Sequence, residues 1–124
     1  MKKNIALIVG GYSSEKAVSL LTQDSIEKGL IEANYNVKKI EYSNNYETFK
    51  SALSPKPDAA FINVLGKGGE DGTLQNILEK LEIPYTHSGV EASAIGMNKK
   101  RAKAFAKKSG VSCAEDVLAT KKEI

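Results

Sequence analysis

Two short apolar runs, each cut off by glycine and each followed by a helical pattern, constrain this chain more than any other feature. Ile5-Ala6-Leu7-Ile8-Val9 stops at Gly10-Gly11. Ala59-Ala60-Phe61-Ile62-Asn63-Val64-Leu65 stops at the turn Gly66-Lys67-Gly68-Gly69-Glu70-Asp71-Gly72. An uninterrupted apolar run this short suits a parallel strand covered on both faces, because neither face is left to water. Glycine directly after such a strand lets the backbone turn sharply where other residues would clash.

The segments between and after these runs complete the pattern. Ser13-Ser14 offers an N-cap, and Glu15 falls in the expected first turn, where a carboxylate suits the helix dipole. Val18, Leu21, Ile26, Leu30 and Ala33 predict a buried stripe on a helix reaching about residue 33. Asn36 to Tyr42 alternates Val37, Ile40 and Tyr42 with lysines, as a strand nearer the sheet edge does. Tyr46 to Leu53 reads as a helix stopped by Pro55 and Pro57. Leu74, Ile77, Leu78 and Leu81 mark a helix over 73–81, with Asp71 a candidate N-cap, and Ile83-Pro84-Tyr85-Thr86 predicts a short edge strand. After His87-Ser88-Gly89 comes a helical stretch weakened near Gly96, then a basic helix from Asn98 to Ser109 with Gly110 as its left-handed C-cap. Val111 and Val117-Leu118-Ala119 predict the start of one more strand.

This alternation predicts an α/β fold of Rossmann-like character, an open, mostly parallel sheet with helices on both faces. Ligands of such sheets sit beyond the C-terminal strand ends, where both glycine-rich turns fall. With 124 residues, the chain holds one compact domain or one domain and the beginning of a second.

Composition narrows the function. The only cysteine, Cys113, excludes an internal disulfide, and a single histidine leaves no His/Cys zinc set. No apolar run approaches the ~20 residues of a membrane span, and Met1 to Val9 reads as a buried strand rather than a leader, so no membrane association and a cytoplasmic location are expected. Charge is lopsided: residues 1–98 carry 10 basic and 12 acidic side chains, net −2, whereas residues 99–124 carry 8 and 3, net +5. A basic segment this local can meet phosphate or simply form a solvated helix face. There is no Walker A ending after the glycine-rich turn, no G-x-G-x-x-G at the first helix, and no acidic pair after the first strand. A Ser-His-Asp or Cys-His arrangement also lacks support, since the histidine and cysteine stand far apart in sequence.

Three segments then act together. They are Gly10-Gly11-Tyr12-Ser13-Ser14-Glu15-Lys16-Ala17-Val18-Ser19-Leu20, Gly66 to Gln75, and Ile83-Pro84-Tyr85-Thr86-His87-Ser88-Gly89-Val90 running on to Met97-Asn98-Lys99. In order and spacing they resemble the N-terminal part of the D-alanine–D-alanine ligases, members of the ATP-grasp carboxylate–amine ligases. The resemblance covers essentially all 124 residues. It implies a two-part division, residues 1–96 as an N-terminal α/β substrate domain and 97–124 as the start of a central ATP-grasp domain. The implied activity uses ATP to form an acyl phosphate on one D-alanine, which the amine of a second attacks to give a dipeptide for peptidoglycan. ATP and Mg2+ are the implied cofactors, with the magnesium ligands outside this stretch, D-alanine the substrate and a homodimer the implied assembly. The isolated chain is expected not to turn over.

By the same resemblance Glu15 is the catalytic-site carboxylate that holds the ammonium of the first D-alanine. Val18, Ser19, Gly66 and Lys67 line the substrate pocket, and Lys99 reaches nucleotide phosphate. Each has a plainer reading beside it: Glu15 can serve only the helix dipole, Val18 ordinary packing, and Lys99 a solvated basic face with Lys100 and Arg101. Two positions depart from the family, Leu65 where histidine usually precedes the first glycine, and Asn98 where aspartate is usual. Leucine can neither donate nor accept a hydrogen bond. His87 stands where glycine is usual, and a surface-loop role is its plainer reading. Rival functions are a non-catalytic binding or dimerisation module, another carboxylate–amine ligase, and, more distantly, a nucleic-acid binder, for which Phe105 is the basic helix's only aromatic.

Overall fold

The computed structural model describes residues 1–124. Strands β1 (Asn4–Gly10), β2 (Asn36–Tyr42) and β3 (Ala59–Asn63) form a parallel sheet in the order β2-β1-β3. The central β1 sets Ile5 opposite Val37 on one side and Ala59 on the other. Helices α1 (Lys16–Glu32) and α2 (Tyr46–Ala52) make the two crossovers, and α3 (Thr73–Lys80), α4 (Val90–Met97) and α5 (Lys99–Lys108) follow. Because the chain steps outward to β2 and then back across β1 to β3, right-handed crossovers put α1 and α2 on opposite faces. The expected helices on both faces are therefore present.

Strand alternation sorts the core. Ala6 and Ile8 join Ile40, Ala60, Ile62, Phe49 and Leu53 of α2 and its end, and Leu74 and Leu78 of α3, in one buried cluster. Phe49 is fully buried and meets Tyr42 edge-on at 5.0 Å between ring centres; sinking such a ring contributes about 1.5–3 kcal/mol. Leu7 and Val9, also buried, belong to the other face, under α1. There Lys39 of β2 pairs with Glu27 at 2.9 Å and Asp24 at 3.1 Å on α1.

The stripe expected on α1 is only partly buried. Ile26 and Leu30 are half-buried, but Val18, Leu21 and Ala33 are exposed, and the one fully buried α1 residue is the polar Ser19. Its hydroxyl is the reason: small and hydrogen-bonding, it lets the first turn of α1 lie directly on the ends of two strands. Glu15 stands at the N-cap of α1, not within its first turn, and makes no capping bond. Ser13 instead turns its hydroxyl to the Glu15 N–H at 3.1 Å.

The edge strand expected over Ile83–Thr86 is reduced to a single parallel bridge between Ala60 and Tyr85. The next rung is taken by a side chain, since Thr86 Oγ1 accepts the Ile62 N–H at 2.9 Å and ends the ladder. Residues 111–124 form no strand. They are held instead by Lys103, whose Nζ donates to the Ala114 carbonyl at 2.9 Å and pairs with Asp116 at 3.2 Å. The helical break expected near Gly96 falls at Asn98, whose side chain accepts from the Arg101 N–H at 3.0 Å and starts α5. Gly110, at φ +85°, closes α5 as expected, with its N–H on the Lys107 carbonyl and the Val111 N–H on that of Ala106.

Candidate functional site

The C-terminal ends of β1 and β3 lie side by side, so the loops that leave them, 10–15 and 64–72, interlock. Gly11 packs on Val64, and a Cβ on Gly68 would lie 2.6 Å from the Tyr12 hydroxyl. Ser13 Oγ donates to the Leu65 carbonyl at 2.6 Å. Gly66, at φ +71°, has its open side against the Glu15 carboxylate, where any Cβ would collide. The backbone conformation there favours glycine, and an added Cβ would push the Glu15 carboxylate aside.

Ser19 ties the two strand ends beneath this loop pair. Its Oγ accepts the Gly10 N–H at 2.8 Å and donates to the Asn63 carbonyl, while the Asn63 amide returns a bond of 3.0 Å to the Ser19 carbonyl. Both functions of the hydroxyl are thus occupied by backbone, and Ser19 positions Glu15 one turn away rather than facing solvent. Val18 lies on that same exposed turn, and Lys67 projects from the loop beside the buried Gly66. Glu15 has no ion-pair partner among the chain's Lys, Arg and His side chains, whereas its neighbour Lys16 pairs with Glu41 at 2.9 Å. A carboxylate in that state can take a ligand cation, and a hydrogen bond to a charged group contributes about 1.5–3 kcal/mol.

The rest of the loop is held by its own acids. The Gly66 N–H donates to Glu70, and Asp71 accepts from the Gly68 and Thr73 N–H groups, each at 3.0 Å. Burial pushes the Asp71 carboxyl up, but those backbone bonds outweigh it and leave the group below its ordinary value. Gly72, at φ +93°, occupies the N-cap of α3 one residue after Asp71, the candidate read from sequence. Tyr42 lies under the loops, and burial, followed by the nearby Tyr12, raises its phenol.

The structure brings Glu15 and Gly66 into contact, with Ser19 beneath and Val18 and Lys67 flanking. Lys99 is not part of this group; it opens α5, exposed and without a carboxylate partner. Leu65 is half-buried, with its carbonyl toward Ser13. Sequence reasoning gave no role to Gln75, which is fully buried and whose Nε2 donates to the Gly69 carbonyl at 2.7 Å. Its place beside Leu74 and three before Leu78, on the buried side of α3, was the available signal.

No protein-family model matches the chain. A D-alanine–D-alanine ligase of Chelativorans sp. is 44% identical over 123 residues, 99% of this chain and 39% of that protein. The D-alanine–D-alanine ligase B of Mesorhizobium japonicum is 44% identical over 119 residues, 96% of this chain and 38% of that protein. Among solved structures, a D-alanine–D-alanine ligase from Bacillus anthracis complexed with ATP superposes with a TM-score of 0.86 at 33% identity, over 100% of this chain and 40% of that one. One from Aeromonas hydrophila gives 0.83 at 25% identity, over 98% and 52%. The chain thus spans about 39% of the length of the first of these relatives.

Proposed function

Because the chain corresponds along its whole length to the N-terminal portion of D-alanine–D-alanine ligases, we propose that it is the first substrate lobe of such an enzyme. The reaction proposed for the whole protein joins two D-alanines through an acyl phosphate at the expense of ATP, in the cytoplasm, for peptidoglycan and hence for cell-wall growth and cell shape. Residues 1–96 act as the substrate domain and 97–124 begin the ATP-grasp domain. The observation that carries this reading is the Glu15 carboxylate, free of ionic partners and laid against Gly66 at the strand ends.

In this reading Glu15 binds and orients the ammonium of the first D-alanine. Val18 and Lys67 flank it, Gly66 leaves room for the carboxylate, and Ser19 fixes the strand ends from which both loops spring. ATP would supply the phosphoryl group that activates the substrate carboxylate. Lys99 fits a phosphate contact: it is exposed, lacks a carboxylate partner, and stands at a helix N-terminus, whose backbone N–H groups favour anions. Magnesium does not fit this chain's own residues, since no three His, Cys, Asp or Glu side chains converge to hold a metal. Assembly as a homodimer belongs to the same proposal.

A chimera tests it, with this chain replacing the corresponding 40% of the Bacillus anthracis ligase. The chimera is expected to form the D-alanine dipeptide. Glu15→Gln in it is expected to raise the KM for D-alanine about 10- to 150-fold, the equivalent of one charge-assisted hydrogen bond. The isolated chain is expected to release no phosphate from ATP with D-alanine present. Leu65 and Asn98, at positions where the family usually has histidine and aspartate, favour a second reading as a non-catalytic binding or dimerisation module. A folded chimera that makes no dipeptide would support that reading and refute the first.

A further inference from the structure

A separate cavity, of about 180 Å3, lies at the opposite end of the sheet from the loop pair, where β1 and β2 begin. Asn4 and Asn36, the first residues of those strands, line it together with the chain from the end of α2 to Pro57. Its origin is local. Ile8 and Ile40 pair across the two strands and fill the space under α2 with Phe49. Ala6 and Lys38 pair in the same way two residues earlier. Ala6 is too small to fill that space, and Ala52 at the end of α2 is no larger. Lys38 turns its ammonium to the carbonyls of Ala52 and Ser54, at 2.8 and 3.5 Å, and leaves the hollow open.

The lining divides into an apolar floor and a cationic rim. Ala6, Ile40 and Leu53 are buried at the floor, and Pro57 is half-buried beside them. Lys38 and Lys56 are exposed and are the only charged side chains of the lining. Neither forms an ion pair. The acid nearest in sequence to Lys56, Asp58, is engaged elsewhere: it accepts the Asn4 N–H at 2.7 Å and meets Lys3 at 4.0 Å. An ammonium has three donors, so Lys38 keeps at least one free beyond its two carbonyls. An apolar cavity of about 150 Å3 already takes up benzene, and here two unpaired cations stand at the mouth of a slightly larger one.

We propose that this hollow binds a small organic acid, an apolar body about the size of a benzene ring carrying one anionic group. The body lies on Ala6, Leu53 and Pro57, and the anion on Lys38 and Lys56. A rim with two cations and no acid favours an anion over a neutral or cationic ligand. The volume falls below the roughly 300 Å3 at which sites for larger ligands begin. The site lies at the strand ends away from Glu15, and the inference stands apart from the ligase reading.

The test is a nuclear magnetic resonance titration of the full chain with sodium benzoate, read at the backbone amides of Ala6, Val37 and Leu53. Benzamide, of the same shape without the charge, and acetate, with the charge and no ring, are the controls at equal ionic strength. Benzoate is expected to give saturable shifts at these amides, benzamide to need at least about fivefold more for half-saturation, and acetate to give none. The double variant Lys38→Met, Lys56→Met is expected to bring benzoate to the level of benzamide. Ala52→Leu, which fills the hollow, is expected to abolish the response; if it fails to fold, the lysine variant still decides. Equal half-saturation by benzoate and benzamide, or a response to acetate matching that to benzoate, would overturn the proposal. So would benzoate shifts confined to α5, which would put the acid on the basic helix, or no saturable shift at all.

Discussion

The serine beneath the loop pair offers the sharpest check on how this fold is held. Ser19 is 0% exposed and joins the Gly10 N–H to the Asn63 carbonyl. Alanine in its place would leave a buried donor and a buried acceptor unmet, and each such group costs about 1–3 kcal/mol. The removed oxygen is close to the size of a water, so some rehydration of the gap would hold the total to about 2–4 kcal/mol for Ser19→Ala. Near mid-transition, unfolding entropy runs at about 2.1 cal/mol/K per residue, or about 0.26 kcal/mol/K for 124 residues. A loss of 3 kcal/mol would therefore lower Tm by about 12 °C. Guanidinium and thermal unfolding of both proteins measure this, with the denaturant slope expected unchanged because the folded surface is the same. A loss below about 0.5 kcal/mol, the range of ordinary surface substitutions, would refute the account. The two strand ends would then be held by the sheet alone.

Gly66→Ala combines a strained φ of +71° with a Cβ forced onto the Glu15 carboxylate. It is expected to cost about 1–2 kcal/mol in an unfolding titration and to weaken D-alanine binding in the chimera as Glu15 is displaced. Asp71 has its carboxyl lowered, because its bonds from Gly68 and Thr73 outweigh the burial that raises it. The stability it contributes is therefore present above its ordinary value of 3.8 and lost as pH falls through the folded value. Asp71→Asn is expected to flatten that acid limb in a pH series of unfolding midpoints. Tyr85 is pushed up to about 12 by burial and then by the Glu79 carboxylate, which accepts its hydroxyl at 2.7 Å. A raised value stabilises the fold below the ordinary 10.0, and that contribution fades as pH rises toward 12. Absorbance titration of the phenols should show Tyr85 and the buried Tyr42 titrating late, with Glu79→Gln moving the Tyr85 step alone toward 10.0.

The parts of this fold written in local pattern were legible: β1 and β3 as apolar runs, the glycine turns after them, and the Gly110 cap. What escaped depends on contacts between distant segments. The stripe read on α1 took Val18 and Leu21 for core, but the strand ends admit only the small hydroxyl of Ser19, and no periodicity announces that a buried position will be polar. The fourth strand looked sound from Ile83 to Thr86, yet one threonine hydroxyl reaching the Ile62 N–H stopped its ladder. The segment after Gly110 had strand-like residues but no neighbour to pair with, and propensity cannot supply one. At the site, Glu15 and Gly66 lie 51 positions apart in sequence, and motif resemblance, not residue chemistry, nominated them together. Gln75 had no such help, since its bond to the Gly69 carbonyl exists only once the chain is folded.

A glycine-rich loop between a strand and a helix usually keeps its N–H groups pointed outward, ready for a phosphate. Here Glu70 and Asp71 already sit where that phosphate would, holding the N–H groups of Gly66, Gly68 and Thr73. The loop has in effect absorbed two anions of its own, and with Glu15 alongside it presents negative charge to anything that approaches. An incoming phosphate would find none of these three N–H groups free, whereas the carboxylates offer acceptors that suit an amine.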